Sequence, residues 1–219
     1  KMQDDSSHEG WVPSLGHVGL EEWGEVYEPA EDTFLLLDAL FADRAALRRR
    51  KPAVVLEIGP GSGVVSTYAC HLLGGSAWHV AVDVNEAAAK MTARTAAANR
   101  RVVECLVGDL LANLRNVLDV VIFNPPYVTT PDADVGGGGI EASWAGGERG
   151  RRVLDRLFKD LRPHLAPGAF FYVLVSDENV PTEVAAVLAH LGFAVETILQ
   201  RTARNERLSV LRAALSSSE

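Results

Sequence analysis

Cysteine is scarce in this chain. Cys70 and Cys105 are the two present, each inside an apolar segment and without C-x-x-C spacing. That excludes a disulfide framework and fits reduced core thiols in a cytosolic or nuclear protein. The six histidines form no ligand pattern, so no intrinsic metal site is expected. No apolar run approaches the roughly 18 residues of a membrane span, and the polar, acidic start shows no secretory signal. Positive charge is in deficit too: the net charge is −8 and the pI about 5.3. A broad phosphate-tracking surface is therefore not expected, nor is a nucleic-acid partner. Basic runs are confined to 48–51 and 149–152, and such runs are usually solvated helix ends or loops.

What is present suits one globular domain. The chain has 219 residues, 47% of them hydrophobic, enough for a substantial core. Residues 1–26 are polar and weakly patterned, which predicts a flexible segment. The domain proper is expected over 27–213 and a Ser-rich tail over 214–219. A helix is predicted from a cap at Asp32 or Thr33 to the arginine run near Arg48. Strands follow at 54–58, 78–82, 102–107, 120–123 and 169–175. Helices alternate with them at 64–73, 86–99 (capped by Asn85), 148–165 and 181–191. This alternation predicts βαβ units and a parallel sheet. Residues 193–199 and 208–213 read as a last pair of strands, joined by a link too short for a helical crossover, hence antiparallel. The long loop over 127–147 includes four consecutive glycines, 136–139, and loops of that length are usually functional or mobile.

Glu57-Ile58-Gly59-Pro60-Gly61-Ser62-Gly63 follows the first strand and opens a helix. Glycines there let the backbone turn tightly and approach a ligand. A dinucleotide fingerprint would place its last glycine at position 64, which is Val64. Glu57 adds negative charge where a pyrophosphate would be repelled, so a positively charged ligand suits the turn better. Asp83 ends the second strand, placed to accept both ribose hydroxyls. Asp109 follows the third, placed to accept from an adenine amino group while Leu110 packs on the ring. Together these describe a nucleoside pocket without a phosphate cradle, as S-adenosylmethionine requires.

After the fourth strand comes Asn124-Pro125-Pro126-Tyr127. The prolines fix φ and stop the ladder, at the strand end where open α/β sheets bind ligands. The Asn124 carboxamide and the Pro125 carbonyl can grip both hydrogens of a planar NH₂ group, and Tyr127 can stack on it. An amide is a poor nucleophile, so alignment must contribute much of the catalysis.

These stretches resemble the HemK-type branch of the class I S-adenosylmethionine-dependent methyltransferases. Tyr27-Glu28-Pro29-Ala30-Glu31-Asp32-Thr33, Gly139-Ile140-Glu141-Ala142 and Trp144-Ala145-Gly146-Gly147 are similar to the eukaryotic and archaeal enzymes that methylate the glutamine of the Gly-Gly-Gln motif in class I release factors. The resemblance implies a Rossmann-like seven-stranded α/β fold, mostly parallel with an antiparallel C-terminal hairpin. It implies a cofactor site of Tyr27, Thr33, Glu57, Gly59, Gly61, Gly63, Asp83, Val84, Asp109, Leu110 and Asn124. Asn124, Pro125, Pro126 and Tyr127 would hold the target. It also implies a separate, small zinc-containing activator subunit that covers apolar surface and extends the sheet, and a cytoplasmic or also nuclear setting. The Asn-Pro-Pro-Tyr tetrapeptide alone is shared with DNA adenine and some RNA methyltransferases. Adenine N6-methylation and lysine methylation thus stand as alternatives.

Overall fold

A computed structural model describes residues 10–74, 77–112, 114, 117–136, 139–203 and 206–216. Seven strands form one sheet: β1 (Val54–Ile58), β2 (Trp78–Asp83), β3 (Glu104–Val107), β4 (Leu118–Phe123), β5 (Leu165–Ser176), β6 (Phe193–Ala203) and β7 (Glu206–Leu215). Their order is β3-β2-β1-β4-β5-β7-β6. β1 to β5 pair in parallel, and β7 inserts antiparallel to both β5 and β6. The order reverses at β1, whose neighbours β2 and β4 send their following segments to opposite sides. That divergence opens a crevice at the C-terminal strand ends.

The central strands are apolar at consecutive positions because both sheet faces are covered. In β4, Val121 and Phe123 join a core with Leu154, Leu157 and Phe158, whereas Val120 and Ile122 point to the opposite core with Leu36, Leu40 and Val65. β5 divides likewise, Phe171 and Val173 to one side, Tyr172 and Leu174 to the other. Each such side chain contributes about 1.5–3 kcal/mol by leaving water. The helices supplying these cores are α1 (Glu31–Ala42), α2 (Arg44–Arg50), α3 (Val64–Leu73), α4 (Glu86–Ala98), α5 (Arg152–Asp160) and α6 (Pro181–His190).

Several boundaries differ from the sequence-based expectation for identifiable reasons. The first helix is two, broken at Asp43, and its N-cap is Ala30. Asp32 and Thr33 lie inside the first turn, with Asp32 buried and facing other partners. The helix expected from 148 starts as α only at Arg152, because Gly147, Arg149 and Gly150 have φ of 72°, 54° and 63°, outside helical space. β5 begins at Leu165, ahead of Pro167-Gly168, and β7 extends into the expected tail as far as Leu215. β3 is shorter than predicted and starts at Glu104.

The stretch expected to be flexible, 1–26, has its described part, 10–26, laid against α3 and α4. Trp11 stacks on His71 with ring centroids 4.0 Å apart. Ser14 exchanges two hydrogen bonds with the Asn99 side chain, and Val18 and Trp23 pack on a cluster of Val26, Ala88 and Met91. This arm brings Glu25, Val26 and Tyr27 over the crevice.

Candidate active site

The turn after β1 is pinned to its neighbours through the backbone. Gly59 N–H donates to the Val82 carbonyl at 2.8 Å, and Gly61 N–H donates to the Asp83 carboxylate at 3.2 Å. Gly59 and Gly61 have φ of 62° and 53°, which is why glycine serves here. From α4, Thr92 donates to the Gly61 carbonyl (3.1 Å) and Thr95 to the Ser62 carbonyl (2.7 Å). Both threonines are wholly buried. Gly63 is absent from the cavity wall. A Cβ there would sit 2.6 Å from the Thr92 Cα, so glycine at this position permits the close packing of α3 on α4.

Below this turn lies a cavity of about 610 Å³, walled by Tyr27, Thr33, Glu57, Gly59, Gly61, Asp83, Val84, Asp109, Leu110, Asn124 and Pro126 among others. The end of β4 and the glycine turn face the same hollow. Asp83 accepts from the Gly61 and Asn85 N–H groups, yet burial pushes its carboxyl up from the ordinary value. Asp109 is tied through Oδ1 to Arg156 of α5 at 2.5 Å, a partner the sequence reading did not foresee. Leu110 stands in the left-handed region at φ 51°, a strained setting of the kind that clusters at ligand sites.

Glu57 is buried at 3% exposure and accepts from the Ser66 hydroxyl. Burial pushes its carboxyl up to about 8. The cavity wall carries Glu25, Glu57, Asp83, Glu86 and Asp109 against Arg156. Such a wall opposes a phosphate and favours a cation.

Asn124 occupies the far wall. Its Nδ2 donates to Asp32 Oδ2 at 2.9 Å, while its Oδ1 is buried without a partner among the described residues. Nearly all buried polar groups are hydrogen-bonded, so an orphan acceptor at a cavity calls for an N–H donor. Pro125 is buried, and neither it nor Tyr127 lines the cavity, whereas Pro126 does. The Tyr127 ring packs half-buried on the α1-side core, and burial, with Asp32 nearby, pushes its hydroxyl well above the ordinary value.

The long loop closes on this corner. Gly146 N–H donates to the Val128 carbonyl at 2.8 Å, and a Cβ on Gly146 would meet the Pro126 carbonyl oxygen at 2.5 Å. Asn179, 1% exposed, donates to the carbonyls of Tyr127 (2.8 Å) and Arg149 (2.9 Å). Of the loop's glycine run, Gly137 and Gly138 lie outside the described residues. Asp32, Ser66, Thr92, Thr95 and Asn179 were not singled out from sequence as site residues. No local motif marks the last four; Asp32 stood in plain view within the Tyr27–Thr33 stretch, but as a helix cap.

The family model for the methyltransferase small domain matches residues 32–136. The human protein Methyltransferase HEMK2 is 45% identical over 205 residues, spanning 92% of this chain and 95% of its own. The eRF1 methyltransferase catalytic subunit mtq2 of Schizosaccharomyces pombe is 34% identical over 217 residues, covering 92% of this chain and 94% of its own. Among solved structures, the E. cuniculi Mtq2–Trm112 complex, responsible for methylation of the eRF1 termination factor, is similar with a TM-score of 0.67. It is 30% identical, covering 87% of this chain and 99% of that one.

Proposed function

This chain belongs to the HemK-type branch of the class I methyltransferases, and we propose that it transfers a methyl group from S-adenosylmethionine to the side-chain amide nitrogen of the glutamine in the Gly-Gly-Gln motif of a class I release factor. The observation that carries this reading is the orphan Asn124 Oδ1 on the wall of an acid-lined cavity shared with the glycine turn. The names of the Schizosaccharomyces pombe and E. cuniculi relatives, which specify eRF1, point the same way, and that of the human relative gives a methyltransferase.

S-adenosylmethionine, when bound, supplies an electrophilic methyl group on a sulfonium centre. Glu57 and the backbone at Gly59 and Gly61 would hold its charged amino-acid end, Asp83 the ribose, and Asp109 with Leu110 the adenine. The residues fit such a ligand: carboxylates outnumber the one guanidinium on the described wall, and the turn has left-handed glycines for close approach. Asn124 Oδ1 would accept an N–H group of the target amide, which sets the nitrogen at the cavity wall; the Pro125 carbonyl, expected to accept the second N–H, does not stand on that wall. As the new N–C bond forms, the bond between the methyl carbon and sulfur would break with its electron pair left on sulfur, and the nitrogen would release one N–H proton to solvent. Tyr27 and Val26 from the arm, with Ile140 and Ser143 from the loop, wall the hollow. Positioning of this kind is worth about 7–11 kcal/mol of barrier in favourable cases.

The partner in this reading is a small zinc-containing activator subunit; the E. cuniculi relative is likewise found in a complex, with Trm112. β3 is an edge strand, and Val102, Val107 and Val84 beside it are 85%, 60% and 58% exposed. An open edge next to apolar side chains is what a sheet-extending partner covers.

The test is mass spectrometry of a class I release factor after incubation with this chain, its activator and labelled S-adenosylmethionine. One added methyl on the Gly-Gly-Gln glutamine is expected, lost when that glutamine is replaced. No incorporation with the activator present would refute the assignment.

A further inference from the structure

We propose that Asp32 sets the orientation of the Asn124 carboxamide, so that the target-binding corner presents the amide oxygen as an acceptor. The inference rests on the reading of Asn124 as the residue that grips the target amide, and it adds the reason why that site takes an amide and refuses a carboxylate.

Asp32 is 3% exposed and sits in the first turn of α1. Its carboxylate collects donors from three directions: the Thr33 N–H at 2.7 Å, the Tyr27 hydroxyl at 3.2 Å and Asn124 Nδ2 at 2.9 Å. An ionised carboxylate only accepts, whereas a carboxamide donates from nitrogen and accepts at oxygen. Whichever end of Asn124 faces Asp32 must therefore be the nitrogen. The Oδ1 end is left facing away, buried and without a partner among the described residues. Thr33 N–H and Tyr27 hold Asp32 from its other sides, so the carboxylate does not turn away to free the amide. Left to itself, an asparagine at this corner could flip and offer its NH₂ instead.

The consequence is selectivity. A glutamine side chain brings N–H donors to an acceptor and is bound. A glutamate of the same shape brings acceptors to an acceptor and is repelled, leaving the orphan oxygen unsatisfied. Sites built around a buried hydrogen-bonding group reject the analogue that lacks the partner far more strongly than apolar pockets do. Asp32 is thus a positioning residue: it touches Asn124 and acts on the target through it.

The experiment uses the full chain with its activator subunit and compares wild type, Asp32→Ala and Asp32→Asn. The first readout needs no turnover: the Asn124 side-chain NH₂ resonances in a ¹⁵N spectrum, assigned by loss in Asn124→Ala. Wild type is expected to show one proton of the pair strongly downfield, and Asp32→Ala to lose that shift. The second readout is binding of matched peptides containing Gly-Gly-Gln or Gly-Gly-Glu. Wild type should prefer the glutamine peptide by at least about tenfold, and Asp32→Ala should bring the ratio toward one by weakening the first and tightening the second. The third is turnover, expected to fall about 100-fold in Asp32→Ala with cofactor affinity within about twofold of wild type. Asp32→Asn, whose own oxygen still accepts from Asn124, should recover most of it. An Asn124 pair that keeps its downfield proton in Asp32→Ala, an unchanged peptide ratio, or equal loss of both peptides together with the cofactor would overturn the proposal. If wild type fails to methylate glutamine at all, the functional assignment falls, and the resonance of Asn124 still decides the role of Asp32.

Discussion

The Asn179 side chain donates a 2.8 Å hydrogen bond to the Tyr127 carbonyl, and this bond ties the far end of β5 to the corner that would hold the target. The same nitrogen reaches the Arg149 carbonyl, and the Asn179 oxygen accepts from Ser176 N–H at 2.7 Å. One buried amide thus joins three segments by backbone contacts. Asn179→Ala leaves those groups without partners, at a cost of about 1–3 kcal/mol for each one buried. Thermal denaturation should show a clear loss of stability, and turnover should fall while cofactor affinity holds. An unchanged melting temperature would show that the clamp contributes nothing.

Gly150 makes a sharper case. Its φ is 63°, and a Cβ would lie 1.8 Å from the Tyr127 carbonyl oxygen and 2.5 Å from Asn179 Nδ2. Gly150→Ala must therefore push the loop off the corner. Gly136 has a similar φ of 76° but no described residue within 4 Å, so Gly136→Ala should incur mainly the left-handed penalty of about 1–2 kcal/mol. Measured side by side, the first should lose most turnover and the second should keep it. Equal losses would mean that backbone strain, not the steric clash, is responsible.

The contrast between helix α3 and residue Asp32 explains how much was legible beforehand. Val54–Ile58 and Val64–Leu73 were found at their observed ends, because apolar runs and a glycine turn are local signals. The glycine turn, Asp83, Asp109 and Asn124 stood out because each follows a strand. The Asp32 to Asn124 contact spans 92 positions, and only the folded sheet brings α1 over the end of β4. Thr92 and Thr95 looked like ordinary residues of an Ala-rich helix until α4 was seen against the glycine turn. The late start of α5 turns on three left-handed settings, at Gly147, Arg149 and Gly150, two of them permitted by glycine and one strained.

Glu57 sets a pH dependence with opposite consequences for folding and binding. Its carboxyl rises from an ordinary value of 4.5 to about 8 through burial. Between those values the folded chain keeps a proton that the unfolded chain has released, so ligand-free stability falls as pH rises across the window. The loss is on the order of a few kcal/mol. A cationic ligand prefers the ionised form, so its binding at pH 7 should release protons and tighten as pH approaches 8. Calorimetry in buffers of different ionisation enthalpy should detect that release in wild type and not in Glu57→Gln. The variant should also be more stable than wild type at pH 8 without ligand. Proton-neutral binding in wild type would refute this account.

The two walls of the cavity should separate by substitution. Asn124→Ala removes the acceptor for the target and should abolish transfer while S-adenosylmethionine still binds with near-normal affinity. Asp83→Ala, on the opposite wall with the glycine turn, should weaken cofactor binding by at least about tenfold, the loss of one charged hydrogen-bond acceptor. Isothermal titration with the cofactor and single-turnover assays on a release factor distinguish the two. Transfer at the wild-type rate by Asn124→Ala would remove that residue from the mechanism.

The open edge of the sheet gives the last expectation. Val102 and Val107 are 85% and 60% exposed, and β3 has a free side because β2 alone pairs with it. Replacing such exposed residues shifts the stability of the lone chain by about 0.5 kcal/mol or less. Val107→Asp would, however, place an unpaired charge at the centre of a desolvated contact if the activator seats there, and central contacts dominate binding energy. The complex with the zinc-containing activator should weaken at least about tenfold in Val107→Asp, with the melting temperature of the chain alone unchanged. Retained affinity in a co-purification or titration experiment would place the activator on another face. A drop in melting temperature without partner would mean that the strand edge serves the chain's own fold.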